Sequence, residues 1–189
     1  MARNKLIYGK CSIYQGVTSI ATAPYGGNLL GWTEDGVNYD PNILIVADEI
    51  SEQVSPDDYR DMGASPEVNI NFLEWNVQMM KNLFNNGRVE DLGGGAYSIN
   101  FPSDIVPGSP LTESNLLIVP EDTAQMTIYL PAAKVYKVPE EDIVLKLKEH
   151  SILPVTFKAL IKKGVAVGHV GYENRQMQIA LQANIRLIL

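Results

Sequence analysis

Two histidines, one cysteine, a run of three glycines and a few groups of carboxylates are the residues of this chain suited to chemistry. His150 and His169 stand beside strand-like sequence, with no partner at metal-ligand or triad spacing. Cys11 is alone, which rules out an intramolecular disulfide and a cysteine-based metal centre, and it reads as a small buried hydrophobe. Gly93, Gly94 and Gly95 suggest a phosphate cradle. The Lys-Ser/Thr pair of a P-loop is missing, however, and "AYSIN" after them reads as a strand, not as a helix N-terminus, so a flexible loop is expected. Asp57, Asp58 and Asp61 offer the oxygen ligands that suit calcium, but their spacing fits no EF-hand and the turn glycine is absent. Glu140, Glu141 and Asp142 follow Pro139 and precede a strand, as a solvated turn does. Trp32 and Trp75 read as core or interface anchors. The expectation is a chain that is not an enzyme and uses no metal or cofactor.

The whole composition points the same way. With 189 residues, 46% of them apolar, the chain is expected to form one domain with a proper core. Its 11 prolines and 15 glycines are spread along it, as in a loop-rich β protein. The start, "MARNKLIYGKCSIY", lacks the apolar stretch of a secretory signal, and no apolar run approaches the ~18 residues of a membrane span. Folding in a reducing cytoplasm, with no membrane anchor, is the expectation. The net charge of −7 is uneven: residues 34–67 hold ten acids against one base, Arg60. Such a surface repels phosphates, which disfavours tight nucleic-acid binding but not a wall past which DNA slides.

The elements are read from period and turn chemistry. Residues 28–32 and 37–49 predict a hairpin closed at Asp35-Gly36, with "ILIV" at 43–46 buried on both faces. Residues 49–66, polar and holding two prolines, predict one long loop. Val68, Ile70 and Phe72 alternate with polar residues, as a half-buried strand does. Leu73, Val77, Met80 and Phe84 then fall at helical spacing, which predicts a helix over 73–87 ending near Gly87. Strands are expected at 97–101, 116–119 and 126–130, the last with Met126, Ile128 and Leu130 on one face and Pro131 forcing a break, a bulge or an edge. Residues 143–148 and 153–161 predict an antiparallel hairpin. From Met177 to Leu189 alternate residues are apolar, which predicts a strand of about 13 residues and some 40 Å. The fold class is therefore mainly β: an antiparallel β-sandwich or barrel with one flanking α-helix and a long loop.

The order of these signals carries a resemblance. "GWTEDGV", "ILIVADE", the long loop, "MGASPEVNINFLEWNVQMMKNLF" and "AAKVYKV…DIVLKLKEHSILPVTFKALI" follow one another over about residues 15–165. In order and texture the chain resembles the tail tube (major tail) proteins of long-tailed bacteriophages. The resemblance implies a single 1–189 domain with an extended N-terminal arm at about 1–22 and a long loop at 49–66. It implies a virion protein of the tail, made in the host cytoplasm. Hexameric rings of this protein would stack into a tube, and ladders would be shared between subunits. The loop would stack one ring on the next, with Val54, Asp57, Asp58, Tyr59, Arg60 and Met62 as candidates. Leu145, Leu147, Val155 and Phe157 would belong to the inter-subunit sheet. A tape-measure protein and a tail terminator would be partners, and DNA would pass through the lumen without specific binding. Two other readings stand beside it. One is a tube or ring protein of a contractile injection or secretion apparatus; the other is a ligand-binding β-sandwich, which would need a concave aromatic cluster.

Overall fold

Connection length dictates the shape of this molecule. The structure, a computed structural model, describes residues 5–7, 9–48, 58–75, 89–93, 96–99, 113–137, 152–160 and 177–187. In chain order the strands are β1 Lys5–Ile7, β2 Cys11–Gln15, β3 Asn28–Thr33, β4 Val37–Asp40, β5 Ile43–Asp48, β6 Asp58–Ala64 and β7 Glu67–Phe72. There follow β8 Glu74–Trp75, β9 Val89–Gly93, β10 Ala96–Ile99, β11 Ser114–Pro120, β12 Thr127–Lys137, β13 Leu153–Ala159 and β14 Gln178–Ala180. The main sheet has the order β1-β4-β7-β13-β12-β11-β2-β3-β8, with β14 added to β12; β5-β6 and β9-β10 form separate pairs. The strand pairs are antiparallel.

In a flat sheet β3 and β4 would lie six strand spacings apart, roughly 29 Å. Only Glu34, Asp35 and Gly36 join them, a reach of roughly 14 Å at most. The step from β7 to β8 crosses the same width through Leu73 alone. The sheet must therefore roll until its two ends meet. At the seam the Leu73 amide donates to the Trp32 carbonyl at 3.1 Å. The turn signal at Asp35-Gly36 is real, since Gly36 has φ 75° and needs no Cβ there. It makes a corner instead of the expected hairpin, because β3 pairs with β2 and β8 while β4 pairs with β1 and β7.

The interior of the roll is filled by alternate residues of its strands. Cys11, Ile13, Leu30, Val37, Val68, Ile70, Phe72, Leu116, Ile118, Ile128, Leu130 and Val155 belong to one buried cluster. Burying each large aliphatic side chain stabilises the fold by about 1.5–3 kcal/mol. β11 and β12 are buried on their outer face as well. Leu117 and Tyr129 point away from the interior and pack with Val17, Tyr25 and Ile185. Thr127, expected on a polar face, is buried too. Two side-chain amides fasten this outer layer. Asn115 accepts from the Val17 amide at 2.6 Å and donates to the Val17 carbonyl at 2.8 Å. Gln178 donates to the Arg186 carbonyl at 2.6 Å and accepts from its amide at 3.0 Å.

Several expectations change at this point. Residues expected in an N-terminal arm supply β1 at one end of the sheet and β2 inside it. Of the helix expected over 73–87, Glu74 and Trp75 are instead strand, bonded to Trp32 and Gly31; residues 76–87 lie outside the described residues. The helical count began at Leu73, which is the corner between two strands. Residues 143–151 lie outside the described residues, so the late hairpin is represented by β13 alone, held between β7 and β12. The long C-terminal strand is only β14, because a 3-10 turn at Gln182–Asn184 ends it and the Gln178 side chain takes up the backbone of Arg186. Pro131 falls where the β11–β12 register shifts, which is a bulge.

Two substitutions test this packing. Val155→Asp places an unpaired charge at a position only 2% exposed, which costs about 3–5 kcal/mol. We expect loss of the soluble fold, read by circular dichroism and urea titration. Asn115→Ala strips both partners from Val17 and should lower the unfolding free energy by about 1–3 kcal/mol, with little change in the secondary-structure spectrum.

Candidate functional site

The β4–β7 ladder does not stop where the sheet stops. Its register runs from Val37↔Ile70 to Asp40↔Glu67, and Ile43↔Ala64 continues the same count. Between them the Ser65 amide donates to the Asn42 carbonyl at 3.2 Å, so the ladder passes through the joint unbroken. Asn42 sits at φ 44°, and its amide donates to the Asp40 carboxylate at 2.9 Å, the local bond that lets an asparagine hold a left-handed turn. On the other arm, the Pro66 carbonyl accepts from the Ala159 amide, close to the last residue of β13. Beyond this joint β5 and β6 pair only with each other among the described residues. Gly63, at φ 110°, lies where β6 carries one extra residue relative to β5.

The ribbon so formed is about 20 Å long. Its residues overturn the expectation for "ILIV". Ile43, Leu44 and Ile45 are 53%, 58% and 60% exposed instead of buried. Successive side chains of a strand point to opposite faces, so both faces of the ribbon present aliphatic surface to water. An isolated two-stranded hairpin is marginal in water.

This ribbon also corrects the long loop expected over 49–66. Asp58, Tyr59, Arg60 and Met62 lie in β6, and only Ser65 and Pro66 link it to β7; Val54 and Asp57 lie outside the described residues. The sequence of β6 holds no apolar alternation from which a strand could be read. The signal that does exist is local: a β-rich arm, "ILIVAD", and a second arm of equal reach, "DYRDMGA". Among the other candidates, Val155 and Phe157 are buried in the chain's own core, on a strand with neighbours on both sides. Leu145 and Leu147 lie outside the described residues.

Charge is arranged in rows across the sheet. Register aligns Asp40, Glu67, Lys158 and Lys134 on β4, β7, β13 and β12. Glu67 and Lys158 form an ion pair at 3.5 Å. The acids stand on β4 and β7, the strands that lead into the ribbon, and the bases on the next two strands, β13 and β12.

Among the described residues, those suited to chemistry are not gathered into a centre. Asp58 and Asp61 stand three apart on β6, and Asp57 lies outside the described residues. No group of three His, Cys, Asp or Glu among the described residues is placed to hold a metal. Gly93 closes β9 and Ala96, which opens β10, pairs with it; Gly94 and Gly95 lie outside the described residues. His150, His169 and the 140–142 carboxylates lie outside the described residues. Cys11 is buried, its thiol facing the Gly9 carbonyl at 3.4 Å, and burial pushes it up to about 11. Lys10 stacks over the Trp32 ring at 4.9 Å, a cation–π contact that anchors β3 to the start of β2. No helix among the described residues is long and apolar enough to cross a membrane. No family model matches the chain, and no curated protein matches it.

The cysteine offers a pH test. A raised pKa keeps the thiol protonated in the folded state, with less than about 0.1% thiolate at pH 7.5. Labelling of Cys11 by a disulfide reagent should be negligible in the native protein below pH 9 and should rise steeply through pH 11. In denaturant it should be fast at pH 8.

Proposed function

We propose that this chain is a structural subunit that completes itself with copies of its own kind, stacking in hexameric rings to form a tube of the bacteriophage tail type. The observation that carries the reading is the ribbon: a ladder that leaves its sheet with aliphatic side chains exposed on both faces. Exposed apolar surface on a long projection marks an interaction site. The rest of the surface agrees with a self-assembling wall. The main sheet ends in very short strands, β1 and β8, which blunts it against indiscriminate edge pairing. The acidic excess suits a passage for DNA, because a wall that bound phosphates would stall it. In this reading the ribbon takes the stacking role that the sequence resemblance gave to the long loop. The tape-measure protein, the terminator and the passing DNA are the tube's partners.

Negative-stain microscopy of the pure protein over a concentration series is the test. Rings and tubes growing with concentration are expected. Replacing Ile43, Leu44 and Ile45 together by Ser should leave the far-ultraviolet spectrum and the thermal midpoint nearly unchanged, because these side chains are already in water. The same variant should fail to form tubes. Tubes of wild-type length from it would remove the ribbon from the assembly.

A further inference from the structure

Ile43 and Ile45 lie on one face of the ribbon and Leu44 on the other, and all three are more than half exposed. A ribbon that docks flat against a partner needs only one apolar face, with the other polar. From this two-sidedness we infer that the β5–β6 ribbon is clasped on both faces at once, by two neighbouring copies of this chain. The inference rests on the self-assembly reading and adds how the ribbon is held.

Area and charge favour copies over a foreign partner. Each ribbon face measures roughly 10 by 20 Å, or about 200 Å². A stable one-to-one contact buries about 800 Å² on each side, so one face of one ribbon cannot hold a complex together. Repetition of the contact in a closed, symmetric assembly supplies the missing area. The ribbon and its joint carry Asp40, Asp48, Asp58 and Asp61 against Arg60, while Lys134 stands at the basic end of the charge row on the main sheet. Copies of this chain therefore offer the counter-charge that the ribbon lacks.

Single reporters on each face test this. Leu44→Cys reads one face and Ile45→Cys the other, with Ile43→Cys as a second reporter for the latter face. Buried Cys11 serves as a silent background. Maleimide labelling rates are compared in dilute protein and in assembled tubes. We expect the rates at both faces to fall at least tenfold on assembly. Protection of one face alone would overturn the clasp, as would tubes in which neither face is protected; in both cases self-assembly itself would stand. Protection that arises only with an added host extract would give the ribbon to a foreign partner and overturn the inference. Absence of any assembly at all concentrations and salts would overturn both this inference and the reading beneath it.

Discussion

The structure depends on one ladder that outruns its sheet. From Val37↔Ile70 to Asp48↔Asp58 the two arms keep bonding across the joint at Pro41-Asn42 and Ser65-Pro66, interrupted only by the bulge near Gly63. In the first half, β7 has β13 beside it and a core beneath it. In the second half β5 and β6 pair only with each other among the described residues. Backbone bonding carries the chain outward, and the aliphatic residues it exposes are left without a core. A lone hairpin gains too little burial to offset the entropy of ordering it. Such a projection is sensible when a surface elsewhere completes it.

The remainder of the molecule fixes where that projection starts. Two very short connections, 34–36 and Leu73, force the sheet to roll and so set the direction of β4 and β7 at the seam. The outer layer of Val17, Tyr25, Leu117, Tyr129 and Ile185 covers the β11–β12 side. It is held by Asn115 and Gln178, whose amides act on backbone groups as a neighbouring strand would. Across β4, β7 and β13 the outer face is polar instead, with Thr156 bonded to Asn69 and Lys158 paired with Glu67. The two halves of the roll thus differ: one is covered from outside by its own chain, the other is wet and leads into the ribbon.

What could be read from sequence followed the rule of one buried face. Val68, Ile70 and Phe72 alternate because only one side of β7 meets the core, and that strand was legible. Tyr129 was not, since its outward burial depends on the distant Val17, Tyr25 and Ile185. The corner at Asp35-Gly36 was legible as a turn but not as a change of partner, because partner choice is set by the rolled sheet and not by the turn. β14 was overextended for a related reason: apolar alternation continues to the last residue, yet Gln178 satisfies Arg186 and the chain turns. The ribbon was misread twice over. "ILIV" looks like core when seen alone, yet Ile43, Leu44 and Ile45 are exposed, and "DYRDMGA" looks like loop because it carries no apolar period.

The central claim is that other copies complete the ribbon. Amide hydrogen exchange across β5 and β6, in dilute and in concentrated protein, measures this most directly. The account predicts ribbon amides that exchange far faster than those of β13 when dilute and become protected at least a hundredfold as particles grow. Ribbon amides as protected as β13 in a dilute monomer, and unchanged on concentration, would contradict it.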